Sequence, residues 1–375
     1  MEPKTYFIKT YGCQMNKADS ERIAGWLEAA GLKPVEKIEQ ADWVIINTCS
    51  VRQSAEDRVF GLIRNLKNKI ARKQDNKITK IIITGCMLYH PLANLRKKLK
   101  VDYFVKTHEW PEFLSQFLEV EPKRVDEDHA WVPIMEGCNN FCTYCVVPYA
   151  RGREVSRPFE EIVGEVEELA RRGYREITLL GQNVNSYGKG LKKLKIKNKK
   201  LKTHIKNKKE LQKFETPFAL LLAVLHEIPK IKKISFITSN PWDLSDDIIE
   251  AMKLPRIDRC LHLAVQSGDD EILRRMNRSY TAKQYLRLVE KIRQEIPEIK
   301  IGTDIIVGFP GETKKQFGNT VKLCQKVGFE KAYIAMYSPR PGTAAYKFND
   351  NISYQEKKRR WKILENLINK VKAKL

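Results

Sequence analysis

Gly137-Cys138-Asn139-Asn140-Phe141-Cys142-Thr143-Tyr144-Cys145 sets three thiols on one short loop at C-x3-C-x2-C spacing. The number of thiols is informative. A structural zinc site closes with four ligands, whereas a four-iron cluster is held by thiolates. Three cysteines on such a cluster leave one iron without a protein ligand, open to something that reacts. The alternative is a Cys3His zinc knuckle, because His129 stands nine residues before Cys138. The loop alone leaves both open, although clustered intracellular cysteines more often bind metal than form disulfides.

The loop follows a candidate strand, Trp131–Met135, the first of a series. The others are Glu176–Leu180, Lys233–Thr238, Cys260–Gln266, Lys300–Val307 and Lys331–Tyr337. Helical patterns lie between them over Pro158–Arg172, Ser245–Met252, Thr281–Gln294 and Thr313–Val327. Pro158 suits a first helical turn, and Glu160 and Glu161 complement the dipole there. Six strand–helix units predict a partial (β/α)6 barrel with its chemistry on the loops after the strands. Cys260, inside a strand pattern, and Cys324, on an amphipathic helix, read as core fillers.

Upstream, one pattern repeats three times: an apolar strand, a cysteine, a helix. Tyr6–Lys9 runs into Cys13 and a helix from about Asp19 to Ala30. Val44–Asn47 runs into Cys49 and a helix through Val59, Leu62 and Leu66. Ile81–Thr84 runs into Cys86 and a helical stretch near Leu92–Leu99. Strands alternating with amphipathic helices predict an N-terminal parallel α/β domain of flavodoxin-like kind, with ligand sites at the carboxyl ends of its strands. Cys13, Cys49 and Cys86 all follow strand ends, where core cysteines have no reason to collect. A second three-thiolate metal site is the better reading.

The 375 residues, 42% apolar and 9% aromatic, suffice for two globular domains. No apolar signal region opens the chain, and the longest apolar run, Phe218 to Leu225, is too short to span a bilayer. The expectation is a soluble, cytoplasmic protein with no membrane partner. The net charge of +23 points to a polyanionic partner. Lys189 to Lys213 carries twelve lysines and one glutamate, a net +11, so the rest of the chain retains +12. That run reads as a solvated surface insertion or as an additional clamp on an RNA backbone.

Longer strings carry a resemblance. Glu136 to Arg153, Tyr11-Gly-Cys-Gln-Met-Asn16, Asn47-Thr-Cys-Ser-Val-Arg52 and Thr84-Gly-Cys-Met87 resemble the radical S-adenosylmethionine methylthiotransferases. So do Leu180-Gly-Gln-Asn-Val-Asn185, Val265-Gln-Ser-Gly268, Thr303 to Thr313 and Tyr337 to Thr343. The resemblance covers essentially the whole chain apart from the lysine-rich run. Gln14-Met15-Asn16, Ser50-Val51-Arg52 and Gln182-Asn183-Val184-Asn185 are similar to the branch acting on isopentenyladenosine in tRNA. Branches acting on threonylcarbamoyl-adenosine or a ribosomal protein are the alternatives, and a zinc-stapled RNA-binding protein is the non-enzymatic one.

The resemblance implies two 4Fe–4S clusters and S-adenosylmethionine as cofactors. Cys138, Cys142 and Cys145 would hold the cluster that cleaves S-adenosylmethionine to a radical. Cys13, Cys49 and Cys86 would hold an auxiliary cluster carrying the sulfur that is methylated and transferred to C2 of the adenine. Gly181, Gln182 and Asn183 after the second barrel strand, and Gln266, Ser267 and Gly268 after the fourth, are candidate S-adenosylmethionine contacts, or merely turn chemistry. Tyr144 either packs on the adenine or covers the cluster. Arg151, Arg153 and Arg157 are candidates for RNA or cofactor carboxylate contact, or are surface charges. The partners implied are the tRNA anticodon loop, with its target base splayed out, and a small flavodoxin- or ferredoxin-type electron donor.

The domains expected are 1–122 for the methylthiotransferase domain with the auxiliary cluster, 123–352 for the barrel with an insertion at 189–213, and 353–375 for a helix carrying Trp361, Leu364 and Ile368. The family's usual small RNA-binding domain of the TRAM type has no counterpart after that helix. Asn240 and Ala264 stand where this branch usually carries His or Phe and Pro.

Overall fold

The structure is a computed structural model that describes residues 4–50, 53–72, 79–106, 110, 114, 120–189 and 213–370. Val51, Arg52, the interior of the lysine-rich run and residues 371–375 lie outside the described residues. The chain divides into two compact units, Met1–Asp126 with Cys145–Gly152, and Glu127–Tyr144 with Arg153–Leu375.

The first unit is built on five parallel strands, β1 (Thr5–Tyr11), β2 (Lys33–Pro34), β3 (Trp43–Thr48), β4 (Lys80–Gly85) and β5 (Tyr103–Phe104), in the order β2-β1-β3-β4-β5. This is the flavodoxin-like order, whose ligand crevice lies where the winding reverses beside β1. Strands β3 and β4 are near-continuous apolar runs buried along almost their whole length, as parallel strands covered on both faces must be. Ile23, Trp26 and Leu27 of helix α1 (Gln14–Ala29) pack with Ile45 and Ile82 in one core. Val59, Ile63 and Leu66 of α2 (Gln53–Arg72) and Leu95 of α3 (Leu92–Lys98) pack with Val44, Ile46, Ile81 and Ile83 in another.

Helix α1 begins at Gln14, five residues before the start that apolar spacing predicts. Its first two turns bury Asn16, Asp19 and Ser20, polar residues that a reading of apolar periodicity counts as exposed.

In the second unit, β6 (His129–Pro133), β9 (Glu176–Leu180) and β10 (Lys233–Phe236) form one parallel sheet. A hairpin pair, β7 (Met135–Glu136) with β8 (Val155–Ser156), intervenes in sequence. Strands β11 (Cys260–His262), β12 (Lys300–Val307) and β13 (Lys331–Met336) form a second parallel sheet. Single parallel bridges, Ile234 to Ile257 and Ser239 to Leu263, connect the two, so six strands follow one another in chain order as a partial barrel.

Two strands end earlier than apolar runs indicate. The runs Lys233–Thr238 and Cys260–Gln266 stop pairing regularly at Phe236 and His262. Thr238 (φ +75°) and Gln266 (φ +64°) turn the chain into the left-handed region that β-branched and long side chains seldom occupy. Such strain concentrates at functional edges. Cys260 is exposed, which corrects its reading as a core filler, whereas Cys324 is buried and its thiol is pushed up to about 12 by burial.

After the short α4 (Val147–Ala150) of the first unit, the barrel helices are α5 (Phe159–Arg171), α6 (Pro217–His226), α7 (Asp246–Met252), α8 (Asp270–Arg275), α9 (Ala282–Glu295) and α10 (Lys314–Val327). Helix α6 had shown only as an apolar run; it is buried on nearly every face, which removes the amphipathic signal. Thr281 and Thr313 start α9 and α10 with capping boxes. Helix α11 (Tyr354–Leu364) continues as a π-helical turn to Lys370 and covers the edge of β13. Asn369 exchanges two hydrogen bonds with the Ala332 backbone there, and Trp361 Nε1 donates to Ile334 O. Among the described residues no helix is long and apolar enough to cross a membrane.

Candidate metal centres and cofactor site

Register brings the first cysteine set together. Tyr11 pairs with Thr48, and Thr48 with Gly85, so β1, β3 and β4 end flush. Cys13, Cys49 and Cys86 lie just past those ends. Gly12 (φ +144°) and Gly85 (φ +90°) allow the approach: a Cβ on Gly12 would stand 2.6 Å from Cys49 Cβ, and one on Gly85 would stand 2.5 Å from Asn47 Oδ1. Buried Asn16 and Asn47 brace the site, Asn16 Nδ2 donating to Asn47 Oδ1 at 2.8 Å and Asn47 Nδ2 to Asn16 O at 2.8 Å. The Cys13 thiol donates to Asn16 Oδ1 at 3.3 Å.

The segment Cys145–Gly152 brings Arg151 into this unit. Its guanidinium is buried, donating through Nη2 to Asp19 Oδ2 at 2.6 Å and through Nε to Cys86 Sγ at 3.4 Å. Arg151 is therefore spent on a carboxylate and a thiol, which corrects its reading as an RNA or cofactor contact. Burial opposes the charge on Asp19, but Arg151 and Arg22 outweigh it and hold that carboxyl below the usual range. A hydrogen bond with Cys49, backbone N–H groups of Asn16 and Met15 and the charge of Arg151 together hold the Cys13 thiol below its ordinary value against burial. Burial pushes Cys86 up, against the pull of Arg151.

In the second unit, the β7–β8 pair closes the base of the Cys138–Cys145 excursion. Backbone and side chains then pin its near half. Gly137 N–H donates to Gln182 Oε1 at 2.6 Å, Thr143 N–H to Met276 O at 3.1 Å and Thr143 Oγ1 to Arg275 O at 2.8 Å. Asn277 Nδ2 donates to Asn140 O at 3.0 Å and Phe141 O at 3.2 Å. Both Phe141 and Asn277 have positive φ. Arg153, exposed, stacks its guanidinium over the Phe141 ring. Arg157 instead binds Pro133 O and Glu165, a structural role.

Burial pushes the Cys138 thiol up to about 11, with Cys142, Glu154 and Asp243 adding to it. Cys142 has a neighbour that motif reading missed: Arg278 Nη1 stands 3.6 Å from its sulfur. Arg278 lies in none of the strings quoted above, and the fold brings it to Cys142. Cys145 opens the segment that joins the first unit.

The six candidate cofactor contacts after the strands, and Tyr144, have distinct placements. Gly181 is packed so closely that a Cβ would stand 2.5 Å from Met135 Cγ. Gln182 anchors the cysteine loop. Asn183 is buried, donating to Asp243 and accepting from Asn240 N–H at 3.3 Å. Asp243 also binds Lys189 Nζ. Gln266 takes its positive φ while its backbone pairs with Asp304 and Ile306. Ser267 and Gly268 both meet Thr320 Oγ1 of α10, at 3.3 and 2.9 Å, and a Cβ on Gly268 would stand 2.6 Å from Thr320 Cα. Those two residues build the turn. Tyr144 packs against the cluster of Ile272, Met276, Phe309 and Tyr337.

His129, the fourth ligand that a zinc knuckle would need, is engaged elsewhere. His129 sits on β6 with Nε2 2.9 Å from Thr178 Oγ1 and its ring edge-on to Trp131. Among the described residues no three His, Cys, Asp or Glu side chains converge as a single ion requires, with donors about 2.3 Å from one point. A four-iron cluster spreads its thiolates further apart. The two sets offer thiolates alone, the donor that such a cluster takes.

Two family models match the chain, the Radical SAM superfamily over residues 132–324 and an uncharacterized protein family, UPF0004, over residues 5–106. A tRNA-2-methylthio-N(6)-dimethylallyladenosine synthase of Dictyoglomus thermophilum is 44% identical, over 98% of this chain and 83% of that protein. Its counterpart in Thermotoga petrophila is 41% identical over 99% and 83%. Among solved structures, a radical S-adenosylmethionine methyltransferase of Kitasatospora setae, with cobalamin and a 4Fe–4S cluster bound, matches with TM-score 0.59 at 14% identity, covering 92% of this chain and 77% of that one. That similarity concerns the fold.

Proposed function

The chain belongs to the radical S-adenosylmethionine tRNA methylthiotransferases, the tRNA-2-methylthio-N(6)-dimethylallyladenosine synthases, and from that membership we propose that it methylthiolates C2 of N6-isopentenyladenosine beside the anticodon. One observation carries the reading: two separate three-cysteine sets, one just past the ends of β1, β3 and β4 and one on the loop Gly137 to Cys145. One set serves radical generation and the other sulfur delivery; a single set would serve only one.

We assign Cys138, Cys142 and Cys145 to the radical cluster and Cys13, Cys49 and Cys86 to the auxiliary one. When bound, these clusters supply one-electron cleavage of S-adenosylmethionine and the sulfur for transfer, respectively. The chain's own residues position and enclose. Asn277, Gln182 and Thr143 fix the shape of the cysteine loop. Asn183 and Gln266, after the strand ends, and Tyr144 are proposed to meet S-adenosylmethionine; Gly181, Ser267 and Gly268 supply tight backbone next to the first two. The domains proposed are 1–122 for sulfur delivery, 123–352 for the radical barrel and 353–375 for the closing helix.

The tRNA would be held by phosphate contacts to a surface that stays basic even without the lysine-rich run, with Arg153 as a candidate. A flavodoxin- or ferredoxin-type protein would supply electrons in the cytoplasm. The reading is tested by anaerobic incubation of the reconstituted protein with S-adenosylmethionine, a reductant and tRNA, with or without prior isopentenylation. Methylthio nucleoside should form on the isopentenylated tRNA alone. Product on a threonylcarbamoyl-adenosine tRNA instead would overturn the substrate.

A further inference from the structure

One buried cation faces a ligand sulfur without a carboxylate beside it. Arg278 is 7% exposed, and all three kinds of guanidinium nitrogen are engaged. Nη1 lies 3.6 Å from Cys142 Sγ and donates to Asn240 Oδ1 at 3.0 Å; Nη2 donates to Ala264 O at 2.7 Å; Nε donates to the Tyr280 hydroxyl at 3.3 Å. Its carbon stands 4.5 Å from the Trp242 ring centroid and 5.3 Å from that of Tyr280. Among the described residues no carboxylate forms an ion pair with it. Arg151 is the contrast, since Asp19 neutralises it beside Cys86. Two of the groups that hold Arg278 come from Asn240 and Ala264.

We propose that Arg278 sets the reduction potential of the radical cluster, by fixing an uncompensated positive charge and an N–H donor at the Cys142 sulfur. The inference rests on the ligand assignment proposed above. Reduction adds one electron to the cluster, so a nearby cation stabilises the reduced form more than the oxidised one. Hydrogen bonds to ligand sulfurs and local net charge are the levers by which proteins tune such clusters. In a buried site the charge is poorly screened. The fork matters as well as the charge: three nitrogens reach three directions, and a lysine cannot reproduce this.

The test uses the full chain with Cys13, Cys49 and Cys86 changed to Ala, so that only the radical cluster is read. After anaerobic reconstitution with iron and sulfide, dithionite titration is followed by electron paramagnetic resonance. R278Q should lower the reduction equilibrium at least tenfold, about 59 mV for a one-electron couple, with iron content retained. R278K should fall between R278Q and the parent. A change under threefold in both variants would overturn the proposal. Loss of the cluster from both would also overturn it, giving Arg278 a purely structural role. If the parent itself binds no cluster, the ligand assignment fails, and this inference fails with it.

Discussion

Arg151 reaches both Asp19 Oδ2, at 2.6 Å, and Cys86 Sγ, at 3.4 Å, from a segment that begins at Cys145. A chain segment that opens with one proposed cluster ligand thus ends by bracing a ligand of the other set. Both members of the ion pair are almost fully buried. Removing one partner of such a pair leaves an uncompensated buried charge, which costs roughly 3–5 kcal/mol.

Asp19→Asn is therefore expected to lower the unfolding free energy from urea titration by an amount in that range, with an unchanged slope. The deficit should depend on pH. The Asp19 carboxyl titrates lower folded than unfolded, so its contribution is fully present above the ordinary carboxylate value of about 3.9. It fades as pH falls through the lower folded value. Stability curves of the parent and Asp19→Asn should converge in acid; a constant gap down to pH 2 would refute the charge argument.

Gly12→Ala and Gly85→Ala test the close approach behind the first cysteine set. Each added methyl meets an atom at 2.6 or 2.5 Å and must also hold a positive φ. The backbone strain alone is roughly 1–3 kcal/mol. Iron retained after reconstitution should fall in a protein whose Cys138, Cys142 and Cys145 are changed to Ala. Full retention in both variants would remove the glycines from the account.

Asn277→Ala loses two donated hydrogen bonds to the cysteine loop and places Ala at φ +57°. A loss of roughly 1–3 kcal/mol is expected, seen as slower incorporation of iron into the radical site. Asn277→Gly relieves the backbone but not the lost bonds, so it should recover only part of the incorporation rate. Full recovery would show that the side-chain bonds are dispensable.

Cys138→Ala should abolish S-adenosylmethionine cleavage, measured as release of deoxyadenosine. Cys49→Ala should keep some cleavage while forming no methylthio nucleoside. Equal loss of cleavage in the two variants would contradict the division of labour between the sets.

Much of this was legible in sequence because strand ends and cysteines coincide. The runs at Val44 and Ile81 each open with three apolar residues and reach their cysteine five positions on, so the edge of the first sheet could be read from the sequence. Helix α6 and the first two turns of α1 were not legible, since one is buried on nearly every face and the others bury polar residues. The early strand ends at Thr238 and Gln266 depend on backbone torsions that side-chain patterns do not encode. Arg278 and Asp19 carry no local signal; each gains meaning only from a residue more than a hundred positions away.

The central claim is that one chain, loaded with two four-iron clusters, adds a methylthio group to isopentenylated adenosine. Mass spectrometry of nucleosides from isopentenylated tRNA, after reaction with protein of measured iron and sulfide content, tests it most directly. The account predicts the methylthio-isopentenyl nucleoside, with iron and sulfide sufficient for two clusters, and its loss when either cysteine set is replaced. Doubly loaded protein that cleaves S-adenosylmethionine yet leaves that tRNA unmodified would contradict it.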